Sequence, residues 1–160
     1  MNESKYASEL ISWSSSFSVG ITLIDDQHKK LLELTNALFN HCVGNDESER
    51  LYFKEVIDAA VDYVNLHFAT EEKIMQFTNF QGFREHRKAH NQFKTAVMEQ
   101  VQRFEDGRPF SLIAFTKFLK NWILTHIAVC DKQYFEYFKK IATRKSNGKL
   151  SITAGDVPLF

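Results

Sequence analysis

The sequence is poor in residues that interrupt helices, and it has no long apolar run. Its 160 residues include two prolines and six glycines, and this scarcity favours long helices. No stretch approaches the roughly 18 consecutive apolar residues that span a membrane. The N-terminus also lacks the basic segment followed by an apolar segment that marks a secretory signal. We therefore expect a helical, cytoplasmic protein with no membrane association.

An excess of charge of either sign is also absent. Lys and Arg together number 20, as do Asp and Glu, so the formal net charge is zero. Proteins that bind nucleic acid or anionic membranes carry an excess of Lys and Arg, so the sequence predicts no nucleic-acid partner. The two cysteines, Cys42 and Cys130, lie within apolar helical patterns and are expected to be free, buried thiols.

Four stretches of the sequence repeat apolar residues every three or four positions. They cover residues 24–42, 53–74, 83–104 and about 111–144. Asp25 or Asp26 can cap the first stretch, and Gly107 ends the third. Four amphipathic helices joined by short breaks predict an all-α, antiparallel, up-down-up-down four-helix bundle.

The expected bundle covers residues 23–144 and is flanked by two segments of different composition. The N-terminal arm, residues 1–22, contains a serine run and should pack on the bundle through Trp13 and Phe17. The C-terminal tail, residues 145–160, contains Gly, Pro and the short β-like patch KLSIT. This tail is the candidate contact for a homo-oligomer or for a redox or delivery partner.

Five of the six histidines occupy inward positions of the apolar patterns. They are His28, His67, His86, His90 and His126, whereas His41 lies off the pattern. A single histidine on an apolar face is more often a core residue with satisfied hydrogen bonds than a ligand. Five in one interior would carry a severe burial cost without something to bind.

The positions of these histidines along the helices predict that they meet at one level. His67 and Glu71 stand four residues apart, as do His86 and His90, so each pair shares one helix face. His28 lies near the start of the first helix, and His67 and Glu71 lie near the end of the second. The pair on the third helix lies near its start, and His126 lies in the latter half of the fourth. Because successive helices run in opposite directions in an antiparallel bundle, these positions all come to the same end of the bundle.

Five imidazoles and two carboxylates, those of Glu71 and Asp131, narrow the choice of metal. Seven groups exceed the four ligands of one zinc ion, and calcium and magnesium prefer oxygen ligands. Imidazole with carboxylate suits iron, copper, nickel or zinc. Two ions bridged by both carboxylates would use all seven groups. Three histidines on one ion and two on the other would leave the second ion an open position for a small molecule.

The stretch HIAVCDKQYF has an irregular spacing. His126 and Asp131 stand five residues apart, whereas neighbours on a helix face stand three or four apart. The inward pattern is regular up to His126 and resumes at Asp131, shifted by one residue. One extra residue in a continuing helix is typical of a π-bulge, and such bulges often lie at functional sites. We predict a π-type turn that directs the carboxylate of Asp131 onto the metals.

Four segments, GITLIDDQHKKLLELTN, HFATEEKIM, HRKAH and NWILTHIAVCD, with Trp13 ahead of them, resemble the bacterial type of hemerythrin over residues 11–142. The resemblance implies two iron ions in an oxo- or hydroxo-bridged centre, with O2 as the ligand of the diferrous form. It implies one iron held by His86, His90 and His126. It implies a second iron, with the open position, held by His28 and His67, and bridges from Glu71 and Asp131.

The residues around His126 indicate an apolar O2 pocket. Ile123 and Ile127 flank this histidine and Trp122 lies one turn before it, although each residue taken alone is more often ordinary core packing. Beside an open iron their bulk would exclude water and favour reversible oxygenation over oxidation. Ligating histidines usually donate their second N–H to a nearby group. The polar residues close in sequence are Gln27, Asp62 and Glu72.

Functions from different classes remain open at this point. The first is a non-catalytic, O2-binding di-iron protein for transport, storage, delivery or sensing. The second is a di-iron enzyme, such as an oxidase, a ferroxidase, or a nitric oxide or peroxide reductase. Ferritin-like enzymes use Glu-x-x-His pairs, and no histidine here has Glu three positions before it. Five histidines to two carboxylates therefore favour the first function, and a structural or adventitious metal is a third alternative.

Overall fold

The computed structural model describes residues 10–40 and 47–146, and every long element within them is a helix. The helices are α1 (Thr22–Asn40), α2 (Glu47–Phe77), α3 (Phe83–Glu105), α4 (Leu112–Thr125) and α5 (Lys132–Ser146), and a π-helical segment (His126–Asp131) joins α4 to α5. Since α4, the π-helical segment and α5 run on without a break, they form the fourth helix of the bundle. The predicted all-α, four-helix architecture is confirmed.

Some predictions fall on residues that lie outside the described ranges. They concern His41, Cys42 and the tail beyond Ser146. Cys130 is a free thiol, as expected, but its side chain is half-buried rather than buried. Among the described residues, no helix combines the length and the apolar character needed to cross a membrane.

The core of the bundle consists of two apolar clusters. The larger cluster includes Leu31 of α1, Phe93 of α3 and Ile123 of α4. The smaller cluster, at the other side of the histidine level, includes Ile24 and Tyr134. Along the bundle, the histidines and carboxylates predicted as metal ligands therefore lie between two apolar layers. Burying one large apolar side chain contributes about 1.5–3 kcal/mol, and these two layers offset the cost of a polar layer between them.

The N-terminal arm is attached to α1 through Asn36. The amide nitrogen of Ile11 donates to Asn36 Oδ1 over 2.9 Å, and Asn36 Nδ2 donates back to the carbonyl of Ile11 over 2.7 Å. Trp13 and Phe17 pack against the larger apolar cluster, and their ring centroids lie 6.0 Å apart. The predicted packing of the arm through these two aromatic rings is confirmed.

Asp25 ties the chain before α1 to the first turn of the helix. Its carboxylate accepts hydrogen bonds from the backbone N–H of Val19 over 2.8 Å and from the hydroxyl of Ser18 over 2.6 Å. The chain turns at Gly20, whose φ of 78° is in the left-handed region that favours glycine. Of the two aspartates proposed as caps in the sequence, Asp25 makes these contacts.

We expect Asp25→Ala to lower the free energy of unfolding by about 1–2 kcal/mol, because two hydrogen bonds to a charged acceptor are lost. Asp26→Ala is the matched control, since Asp26 is exposed and, within residues 10–40 and 47–146, its ion pair is with the exposed Lys29. That substitution should cost less than about 0.5 kcal/mol. Urea unfolding of both variants measures the difference, and equal losses would contradict this role of Asp25.

Gly107 ends α3 as the sequence indicated. Its φ is 66°, and the N–H of Arg108 donates to the carbonyl of Arg103 over 3.0 Å, which satisfies a carbonyl of the last turn. Ser111 then starts α4, because its side-chain oxygen accepts from the backbone N–H of Ala114. This short connection returns the chain antiparallel to α3 and sets the level at which His126 lies.

Candidate metal centre

The seven residues predicted as metal ligands come together inside the bundle. Each has a relative exposure of at most 7%: His28, His67, Glu71, His86, His90, His126 and Asp131. They come from α1, α2, α3 and the π-helical segment, so all four helices of the bundle contribute. The predicted convergence at one level is confirmed.

The ligand atoms form two groups that share Glu71. One group contains Glu71, His86, His90 and His126, and the other contains His28, His67, Glu71 and Asp131, with all ligand atoms of a group within 4.8 Å of one another. Glu71 Oε2 lies 3.3 Å from His90 Nε2 and 3.7 Å from His67 Nε2. The carboxylate of Asp131 also faces both groups, because its Oδ1 lies 3.2 Å from His126 Nε2 and its Oδ2 lies 3.2 Å from His28 Nε2. Both carboxylates therefore lie between the two sets of histidines.

The irregular spacing between His126 and Asp131 is explained by the π-helical segment. Residues His126–Asp131 form this segment, with regular α-helix before and after it. As a result, both His126 and Asp131 are buried although five positions separate them. Cys130, which a regular helix would have directed inward, is only half-buried. The predicted π-type turn is confirmed.

Six polar atoms at the centre lack hydrogen-bond partners within the described part of the chain. Both oxygens of Glu71, both oxygens of Asp131 and both ring nitrogens of His28 are buried without one. Nitrogen and oxygen atoms face each other at 3.2–3.9 Å, yet not in hydrogen-bond geometry. Leaving such groups unpaired is costly. The Nε2 atoms of His86 and His90 also approach that of His126, over 3.2 Å and 3.0 Å. Imidazole nitrogens and carboxylate oxygens crowded around one centre fit a site that holds cations.

The electrostatics of the centre couple the histidines to the two carboxylates. Burial lowers the pKa of His67 to about 4. Burial also lowers the pKa values of His86 and His126, but Asp131 and Glu71 outweigh it and raise them to about 9 and about 10. Burial raises the pKa values of Glu71 and Asp131, yet the surrounding imidazoles hold both below their usual range. Without metal, protons on His86 and His126 thus balance the two carboxylates.

The metal-free protein should lose stability as the pH rises from 6.5 to 10. The folded pKa values of His86 and His126 lie above the ordinary value of 6.5. Their contribution to the free energy of unfolding is complete below pH 6.5 and is lost as the pH rises through 9 and 10, by at most about 1.4 kcal/mol per pH unit for each group. The lowered pKa of His67 makes stability rise with pH instead, but only below pH 6.5, its ordinary pKa, and so outside this range. Urea unfolding of chelator-treated protein across this range measures the loss, and constant stability would contradict it.

Two of the candidate outer residues hydrogen-bond the histidines. His67 Nδ1 lies 3.1 Å from Gln27 Oε1, and His90 Nδ1 lies 3.0 Å from Glu72 Oε1. With Nε2 of each ring facing Glu71, Nδ1 carries the proton and donates, which fixes the ring orientation. Asp62, the third candidate, is exposed. One histidine is thus held by a neutral amide and another by a carboxylate.

Aromatic rings cover one side of the centre. Trp122 stacks on His126 with centroids 4.2 Å apart, and Phe68 stacks on His90 at 3.7 Å and 4°. Ile123 and Ile127 are buried in the larger apolar cluster. Phe68 was not predicted from the sequence to be part of the site, because the spacing to Glu71 indicated only its neighbour His67. The signal that could have identified Phe68 is its position directly after His67 in the chain.

The comparison with known protein families decides the assignment. The family model described as "Hemerythrin HHE cation binding domain" matches residues 19–138, which include all seven buried groups. The chain belongs to the hemerythrin family. This membership confirms the resemblance seen in the sequence.

Individual hemerythrins match most of the chain. A bacteriohemerythrin of Stenotrophomonas maltophilia is 33% identical over 130 residues, covering 81% of this chain and 82% of the relative. A hemerythrin-like protein of Naegleria gruberi is 32% identical over 122 residues, covering 76% and 88%. The crystal structure of a wild-type hemerythrin superposes with a TM-score of 0.74 at 27% identity, covering 79% of this chain and 96% of that one. The shared region therefore includes the bundle and the centre.

Proposed function

We propose that this hemerythrin-family chain is a non-haem di-iron protein that binds O2 reversibly. The observation that carries the proposal is the pair of ligand groups that share Glu71, with six buried polar atoms that have no hydrogen-bond partner in the described chain. Imidazole and carboxylate ligands suit iron. Family membership selects iron among the metals that this ligand set could hold.

Each of the seven residues has a role in this proposal. His86, His90 and His126 would hold one iron ion, and His28 and His67 would hold the other, with the carboxylates of Glu71 and Asp131 facing both groups. The group with two histidines offers fewer ligands, so we assign O2 to that side of the centre. When bound, a ferrous pair would supply the reversible electron transfer that O2 binding needs. Gln27 and Glu72 orient His67 and His90 through their Nδ1 atoms.

The apolar residues around His126 belong to the same cluster as Leu31 and Phe68, which lie close in sequence to the histidines of the two-histidine group. We infer that this cluster shields the open position and favours binding over oxidation. Trp122 covers the ring of His126, and Ile123 and Ile127 bury their side chains in the apolar cluster beside it. Such surroundings exclude water and disfavour the separation of charge that accompanies the loss of superoxide. We infer from this that the protein is an O2 carrier, store or sensor and not an oxidase, ferroxidase or reductase.

Cycles of oxygen and vacuum test this function. The protein is purified anaerobically, its iron is counted, and the visible spectrum is followed through several cycles. Two irons per chain and a reversible spectral change support the proposal. Rapid one-way oxidation to the diferric form, with turnover of an added reductant, would instead show an enzyme.

The cellular location of the protein and its partners other than O2 stay predictions. The balanced charge and the apolar interior are compatible with a cytoplasmic protein. If the tail contacts a second copy or a redox partner, deletion of residues 145–160 should change the oligomeric state or the stability. Unchanged sedimentation and unchanged urea unfolding of the truncated chain would remove the support for that contact.

A further inference from the structure

A cavity lies in the larger apolar cluster of the bundle. Its volume is about 120 Å³. Residues from all four helices line it, and they include Leu31, Ile57, Phe93 and Leu119, which are buried in the larger apolar cluster. None of the seven candidate metal ligands is among the lining residues, although Ile123, one of the apolar residues around His126, is one of them. The cavity thus begins next to the metal centre and extends away from it into the apolar core.

The cavity has an opening to solvent between α2 and α3. The two most exposed lining residues are Asn65 of α2 and Met98 of α3, and the side chain of Met98 is 55% exposed. Lys94 lies beside them and is half-buried. Methionine is unbranched and adapts its shape readily, so Met98 can move aside to admit a small molecule. The rim is polar, whereas the interior is apolar.

We propose that this cavity binds small apolar molecules, up to the size of a six-carbon ring, without any contribution from a metal ion. A cavity of about 150 Å³ that is lined by Leu, Ile and Phe excludes water and accepts benzene or xenon. The cavity here has a similar lining and a slightly smaller volume. Water inside it would find few polar partners, whereas an apolar molecule would gain contacts with the apolar side chains of the wall.

The ligand class follows from the lining chemistry. Among the described lining residues, Thr35 is the one buried polar side chain, and its hydroxyl already donates to the carbonyl of Leu31 over 2.9 Å. A polar group placed in the interior would therefore lose its water without receiving hydrogen bonds in return, because Asn65 and Lys94 lie only at the rim. Aliphatic or aromatic hydrocarbons and apolar gases fit this interior.

Benzene titration of the iron-loaded, full-length protein tests the proposal, with methyl NMR of Ile57, Met98 and Leu119 as the readout. We expect saturable shifts at about 1 mM benzene, a range reasonable for a ligand of six heavy atoms. Ala60→Leu, which adds three carbon atoms to the cavity wall, should weaken binding at least tenfold. Ala59→Leu is the matched control, because Ala59 is exposed and does not line the cavity. Its affinity should stay within twofold of the unsubstituted protein.

Xenon-pressurised crystals of the unsubstituted protein provide a second test that does not depend on how Ala60→Leu folds. Xenon density among Phe93, Val97 and Leu119 supports the proposal. Linear, unsaturable shifts with benzene, or no xenon in this cavity, would overturn it. Because benzene has no metal-ligating atom, these outcomes do not depend on reversible oxygenation. Failure of this site and failure of the O2-binding function are therefore distinguishable.

Discussion

Glu71→Ala should leave the chain unable to retain either iron ion, with the iron content falling from two per chain to below about 0.2 after gel filtration. Glu71 is the residue common to both ligand groups, and its two oxygens are fully buried without a hydrogen-bond partner in the described chain. Its loss removes one ligand from each ion and the negative charge that offsets them. Metal analysis of protein that has been reconstituted with ferrous iron measures the effect.

Glu72→Ala is the matched control for this prediction. Glu72 is the next residue in the chain, but it contacts His90 only at Nδ1, on the side of the ring away from the ligand group. Loss of such an outer hydrogen bond typically lowers metal affinity about 10- to 100-fold, so two irons should still bind at a saturating iron concentration. If Glu71→Ala keeps two irons, the bridge assignment is wrong.

His67→Ala should retain about one iron and lose reversible oxygenation. His67 belongs to the ligand group that has two histidines, and only His28 would remain there beside the two carboxylates. The three-histidine group of His86, His90 and His126 keeps its full set. The ion with the open position should therefore leave first, and O2 binding should be lost with it. Metal analysis and the oxygen–vacuum cycle on the same sample measure both effects.

His41→Ala serves as the control for His67→Ala. In the sequence, His41 is the one histidine off the apolar pattern, so its replacement should leave two irons and normal oxygenation. The ligand assignment fails if His67→Ala behaves like His41→Ala. It also fails if both substitutions abolish iron binding, because the effect would then not be specific to the centre.

The level of the bundle at which the histidines and carboxylates meet could be predicted from the sequence, because the direction of a side chain on a helix follows from its position in the helical repeat. The pairs His67 with Glu71 and His86 with His90 share a helix face by spacing alone. The π-helical segment could also be predicted, since the inward pattern shifts by one residue at Asp131. In both cases the period of the pattern determines the direction of the side chains.

Features that depend on packing between helices could not be predicted in this way. Gln27 and Asp62 are both polar residues near ligand candidates, yet only Gln27 reaches a histidine, His67 on another helix. The stacking of Phe68 on His90 likewise depends on the distance between α2 and α3, and the cavity beside Phe93 depends on the packing of all four helices. A single sequence does not give the distances between helix axes, and these distances determine which side chains on different helices come into contact.

We propose that seven buried residues hold two iron ions that share Glu71 and Asp131. Anomalous diffraction at the iron absorption edge, on crystals of the iron-loaded protein, tests this arrangement most directly. We expect two anomalous peaks, one among His86, His90 and His126 and the other between His28 and His67, with Glu71 contacting both. A single peak, or iron outside these groups, would show that the ligand assignment is wrong.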